Sequence, residues 1–252
     1  MTTAARRAVL VAGLAGLAAL CLWGLAEVPG FGHYRGPYGK VVNRITVPER
    51  RVTNAVSAVN FDIRAFDTVG EELILFVAVS GVVLLLRGQR ADLPDPGDVD
   101  DRGGEPPWTS DAVRVAGLGA VAVGLLVGLY VVSHGHLTPG GGFQGGVLLA
   151  CAVLLLYLAG ELISERRLRP SPMMEILHAA GAAGFVALGV GGLIAGAELL
   201  TNFVDLGTAN KLLSGGTIPL GNVAVGVEVT GGFVLLFAEF IEQAVRLGVA
   251  RT

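Results

Sequence analysis

The 252 residues are 52% hydrophobic and only 15% charged, and the mean hydropathy is +0.65. A soluble domain carries about 25% charged residues, so the composition is that of a membrane chain. The net charge of −3 comes without any basic stripe, which excludes nucleic acid as a partner.

Each helical crossing of a ~30 Å apolar core needs ~20 apolar residues. Runs of that length recur six times. The first, Ala8–Ala26, follows Arg6 and Arg7. A signal peptide opens in the same way, but this run is long for one and the chain returns to the membrane repeatedly, so a retained helix is expected. The others are Phe66–Leu86, Val113–Val132, Phe143–Ile163, Ile176–Leu200 and Leu220–Val245. The 38 glycines suit close packing of such helices. Cys21 and Cys151 fall inside apolar runs and read as small hydrophobes, with no disulfide or metal site implied.

Before the second span, Val52, Val56, Val59, Ile63 and Phe66 recur at helical spacing, with Asn54, Ser57, Asn60 and Arg64 on the other face. This predicts a helix at the outer interface, or packed on the bundle, that runs into span two. After that span, residues 91–107 are acidic and rich in proline and glycine, and cannot bury enough apolar area to order themselves. They read as a cytoplasmic linker between a two-span module, 1–90, and a four-span module, 108–252.

The expected fold is therefore an all-α, polytopic membrane bundle of about six helices, two plus four. Eleven arginines flank the amino terminus, the loops after spans two and four, and the carboxyl terminus. Seven basic residues lie on the other side, six of them in one long loop. That bias predicts both termini in the cytoplasm.

Carboxylates at membrane depth are the candidates for chemistry, because a bare charge there costs about 2.5–3.5 kcal/mol on insertion scales. Asp67 and Glu71, four apart, share one face near the start of span two, and Glu72 points elsewhere, toward the interface. Glu198 sits near the end of span five. Glu228, about eight residues into span six, is the deepest carboxylate. His134 and His136 follow span three on the same predicted side. Such groups relay protons when they line a hydrated path; each can equally make an isolated structural hydrogen bond. Glu161, Glu239 and Glu242, near cytoplasmic ends, are expected to be solvated, and His178 to be structural. Pro139 with Gly140, Gly141 and Gly142 breaks the chain between spans three and four, and Gly145 and Gly146 permit close packing of span four. No nucleophilic triad, nucleotide fingerprint or cofactor ligand set is present, so neither an independent enzyme nor a bound cofactor is expected.

Two passages resemble one system. Asn60-Phe61-Asp62-Ile63-Arg64-Ala65-Phe66-Asp67-Thr68-Val69-Gly70-Glu71 is similar to an acidic motif near the carboxyl end of the large A-type component of Mrp-type multisubunit cation/proton antiporters. Ile63 and Ala65 stand where that motif has phenylalanine and glycine. A separate small subunit of membrane-bound hydrogenases carries the same piece. His134 to Gly146 resembles the glycine-rich signature of the antiporter B subunit, the MnhB domain. The resemblance implies an antiporter subunit fused to a second module, with Na+ and H+ as the ions. It implies partners too: the large A and D antiporter-like subunits and the small C, E, F and G subunits, within a bacterial plasma membrane. Asp67 and Glu71 match the family's acidic positions, with Glu71 as the ion-pathway residue backed by Glu228. A hydrogenase-type complex, or a purely structural role, are the alternatives.

Overall fold

The computed structural model describes residues 3–28, 36–90, 111–159 and 172–249. The described residues are all-α, with eight α-helices: α1 (Thr3–Ala26), α2 (Pro37–Arg50), α3 (Ala55–Ala58), α4 (Ala65–Arg90), α5 (Asp111–Ser133), α6 (Gly142–Ala159), α7 (Pro172–Ile194) and α8 (Ile218–Val249). One turn of π-helix, Val59–Ile63, joins α3 to α4. The chain divides into two compact units, 1–41 and 42–252. The first contains α1, apolar on every side, and the beginning of α2. The linker 91–107 and Glu161 lie outside the described residues.

Among the described residues, five helices are long and apolar enough to cross a membrane: Arg7–Ala26, Ala65–Gly88, Arg114–Ser133, Pro172–Ile194 and Ile218–Gln243. The sixth expected span, at α6, contributes a shorter apolar helix, Gly142–Tyr157, among the described residues.

In the second unit α8 is the hub, packed against α4, α6 and α7, with α5 on α6. Glycine permits these contacts. A side chain on Gly146 of α6 would stand 2.8 Å from the Gly226 carbonyl of α8, and one on Gly128 of α5 would stand 2.8 Å from Leu149 of α6. At such distances only the backbone itself fits.

Three sequence expectations need correction. The helix expected before span two exists only as the single turn of α3 and the π turn. Arg51 adopts a left-handed φ of 59°, and the chain runs extended to Asn54, whose side chain caps α3. The inward residues are Val52, Ala58, Phe61 and Ile63, packed around Ile218, whereas Val56 and Phe66 are exposed. The long loop before it contains α2, whose amphipathic 14 residues include Pro48, the feature that hid it. Span five stops at Ile194, because Gly196 takes a φ of 80° and turns the chain. Glu198 is therefore in a loop.

Candidate functional site

Glu228 is the eleventh residue of α8, about 15 Å from its start at 1.5 Å per residue. It is completely buried. The reason is local: Gly181 of α7 lies on its backbone, so that a Cβ there would stand 2.6 Å from the Glu228 Cα. The Glu228 carboxyl meets the side chain of Glu72 on α4, which is only 7% exposed. Apart from this mutual contact, neither Glu228 oxygen has a hydrogen-bond partner among the described residues, nor does Oε2 of Glu72. Two carboxylates facing each other in an apolar interior persist only if a proton is shared between them or a cation lies beside them.

His178 of α7 lies one turn further along. Its Nδ1 is 3.2 Å from the backbone carbonyl oxygen of Glu228. A carbonyl only accepts, so Nδ1 carries a proton and donates it. Nε2 has no partner among the described residues, and the residue is 3% exposed. The ring stacks on Phe76 of α4 with centroids 5.0 Å apart, and Gly232 of α8 makes room on its other side.

An apolar layer follows, made of Val79, Val83, Met174, Val234 and Leu235. Beyond it Arg87 of α4 binds two carboxylates: its Nε is 2.8 Å from Glu239 of α8 and its Nη2 is 2.6 Å from Glu175 of α7. Glu239, expected to be solvated, is completely buried, because it faces α4. The α4–α7–α8 seam thus carries a carboxyl pair, an imidazole, an apolar layer and an arginine with two carboxylates.

Of the residues singled out in the sequence, Glu228 lies on this seam. Glu71 does not: adjacent helix residues point about 100° apart, so Glu72 turns inward and Glu71 is exposed. The expectation that Glu72 points to the interface is reversed. Asp67 is exposed and paired with Arg64, three residues before it. Glu198 borders a cavity of about 420 Å³ together with Arg50, Asp62 and Asn202. Asp62 there lies 3.2 Å from Arg50 Nε. Burial raises the Asp62 carboxyl above its ordinary 3.8, although Arg50 and Asn202 oppose that shift.

The histidines belong to a different structure, the turn between α5 and α6. His134 stacks on Tyr130 with centroids 4.3 Å apart. His136 is fully buried, and burial lowers its pKa from 6.5, opposed by the backbone of Lys211 and Leu212. The turn is held from outside. Asn54 Nδ2 donates to the carbonyls of Gly135 (2.7 Å) and Thr138 (3.0 Å), and Ser57 Oγ donates to Gly135 (2.7 Å). The backbone amides of Thr53 and Asn54 donate to the His136 carbonyl at 3.2 and 3.1 Å. Asn222 Oδ1 accepts from the Gly142 amide at 2.9 Å. Gly140 and Gly141, with φ of 128° and 150°, make the corner after the exposed Pro139, and Gly145 closes on Val132 of α5. The backbone of this turn is fastened by Asn54, Ser57 and Asn222, while both ring nitrogens of the buried His136 have no hydrogen-bond partner among the described residues.

Sequence reading missed Glu72, His178, Arg87 and Glu239 as a set. A signal was available: Glu72, Phe76, Val79, Val83 and Arg87 fall at steps of four, three, four and four, one face of α4.

Residues 113–235 match the family model described as a domain related to the MnhB subunit of Na+/H+ antiporter. An uncharacterized protein of Methanocaldococcus jannaschii is 32% identical over 206 residues, covering 76% of this chain and 78% of that protein. The probable K(+)/H(+) antiporter A/B protein of Rhizobium meliloti is 29% identical over 216 residues, 77% of this chain but only 21% of that much longer protein. Among solved structures, a chain of the membrane-bound sulfane sulfur reductase, an archaeal respiratory membrane complex, superposes with a TM-score of 0.67 at 28% identity, covering 93% of this chain and 97% of that one. The protein is a multi-pass membrane protein, and it belongs to the family related to the MnhB subunit of Na+/H+ antiporters.

Proposed function

We propose that this chain is a subunit of a multisubunit Mrp-type cation/proton antiporter, and that the Glu72–Glu228 pair is the ion-exchanging centre of its seam. The carrying observation is the burial of two facing carboxyls that, among the described residues, meet only each other. Such a pair takes up either a proton or a monovalent cation, which is the exchange an antiporter performs. Nε2 of His178 beside it, without a partner among the described residues, is the next polar atom along the seam. Both termini are assigned to the cytoplasm, residues 91–107 to a cytoplasmic linker between the modules 1–90 and 108–252, and the complex to the cell membrane. The partners are the large A and D antiporter-like subunits and the small C, E, F and G subunits. The relatives' ions differ, sodium for the domain and potassium for the Rhizobium protein, so the site is assigned to a monovalent cation.

The test is Glu72→Gln and Glu228→Gln in the whole complex, expressed in everted vesicles from a host without its own antiporters. Cation-driven collapse of the pH gradient is read with a fluorescent dye. Each variant should lower exchange by at least about tenfold at normal complex abundance, the signature of a lost transfer group. Unchanged exchange in both would remove the pair from the ion path.

One observation favours a second reading. The chain matches the sulfane sulfur reductase chain end to end, but only a fifth of the Rhizobium antiporter protein. In that reading the same seam serves a respiratory complex. Purification of the tagged chain with its partners distinguishes the two: redox subunits with iron–sulfur absorbance belong to the respiratory complex, and their absence to the antiporter.

A further inference from the structure

Glu71 is left outside the seam, yet it stands at membrane depth. Its neighbour Glu72 touches Glu228, the eleventh residue of the 26-residue span Ile218–Gln243. Glu71 is therefore level with the middle of α8, although it is only six residues into α4. The chain reaches this depth because Val52, Ala58 and the π turn pack beside the first turns of α8 at Ile218 and Gly221. At that level an exposed carboxylate faces hydrocarbon unless something covers it.

The surroundings of Glu71 suit a cover. Ile74 and Val77 on the same side of α4 are 71% and 67% exposed. Gly70, Gly81 and Gly88 recur at 11 and seven residues, one helical line, and each has open space where a Cβ would be. Another helix can approach such a line closely. Among the described residues no ion pair or hydrogen bond engages the Glu71 side chain, and the charge acting near it is the like charge of Glu72. Arg64, the nearest basic residue in sequence, is already paired with Asp67. The run Ala8–Ala26 of this chain contains no charged residue before its closing Glu27, so it has no cation to offer at this depth.

We infer that the exposed face of α4 around Glu71 is the docking surface for a membrane helix of another subunit that carries a lysine or arginine at mid-depth. The partner's cation neutralises Glu71, and its helix lies along the Gly70–Gly81–Gly88 line. The inference rests on Glu71 and α4 alone, and holds in either kind of complex. It gives the acidic position singled out in the sequence a role in assembly, across the helix from the ion-exchanging pair.

The test places a photo-crosslinking residue at Ile74 or Val77 in the intact complex in its native membrane, with mass spectrometry of the linked peptide. The expected product is a helix of a different subunit containing a basic residue. Glu71→Gln should then reduce recovery of that subunit with the tagged chain several-fold. Glu71→Lys should abolish it, and exchanging the partner's basic residue for glutamate should restore it. Links to lipid alone, to residues 8–26 of the same chain, or to a helix without lysine or arginine would each overturn the inference. Glu72→Gln serves as the control: it should leave the crosslink intact even where transport is lost, so that failure of docking and failure of the ion path are read separately.

Discussion

The two halves of α8 do opposite things with their polar groups. Near its start, Asn222 is fully engaged: it accepts from the Gly142 amide and donates to the Ile218 carbonyl and toward Ser57. Further in, Glu228 is as deeply buried and, among the described residues, meets only a second carboxyl. Buried polar groups are normally satisfied, so the first region reads as a fastening and the second as a site kept incomplete for an ion. Position in the membrane does not separate them, and neither does burial. Completeness of hydrogen bonding does.

The comparison breaks most forcefully at Arg87, where the seam is complete. Arg87→Ala takes the guanidinium away from the buried Glu239 carboxylate. Removing one partner of a buried pair is destabilising by about 3–5 kcal/mol. Arg87 is itself 35% exposed, so the lower end of that range applies. The expected outcome is a thermal midpoint of the purified complex lowered by several degrees. Replacing both residues with leucine should recover most of it. If Arg87→Ala were silent, the arginine cluster would belong with solvated surface pairs.

Next comes the fastening itself. A side chain on Gly142 would overlap the Asn222 carbonyl and stand 2.9 Å from Val225. Gly142→Ala therefore forces α6 off α8, an overpacking cost of about 1–3 kcal/mol. Gly119→Ala on the open face of α5 meets nothing within 4 Å and should not lower stability at all. Comparing the abundance of the two variants in membranes measures the difference between a glycine needed for contact and one that leaves a face open.

A smaller loss is expected from Asn54→Ala. It removes the cap from α3 and the donors to the Gly135 and Thr138 carbonyls. Gly135 keeps its bond from Ser57, so the loss is about 1–2 kcal/mol, and proteolysis of the turn at residues 134–141 should quicken.

Much of this is legible without coordinates. Long apolar runs locate helical spans, because a helix satisfies its backbone groups within itself, as lipid requires. The turn at Pro139–Gly142 shows in its composition. Function is less legible, because the sequence shows charge but not direction. Glu71 and Glu72 are adjacent letters that end on different sides of α4, one exposed and one buried. Glu239 looks terminal in the sequence and is buried because Arg87 faces it across the seam. His178 looks ordinary until Gly181, Gly231 and Gly232 bring α7 and α8 close enough to enclose it. Pairings between residues far apart in the chain, such as Glu72 with Glu228, depend on packing and leave no local pattern.

The smallest effect sharpens the boundary between fastening and site. His136 is buried in the turn, and burial lowers its pKa from 6.5. The folded state therefore holds it neutral, while the unfolded chain protonates it at its ordinary value. Between the two values the unfolded state binds more protons, so stability rises with pH. Its contribution is complete above 6.5 and is lost as pH falls toward the lowered folded value. Asp62, raised from 3.8, acts with the opposite sign: the folded state favours its protonated form, so its ionisation weakens the fold as pH rises above 3.8. The two groups border different regions, and residue-level measurement separates them. Amide exchange in residues 134–141, corrected for the intrinsic pH dependence of exchange, should accelerate as pH drops below 6.5. In His136→Gln that acceleration should disappear, while exchange around Asp62 keeps its own trend. A turn whose exchange ignored pH would mean that protonated His136 finds acceptors there, and the turn would then belong with the unsatisfied seam.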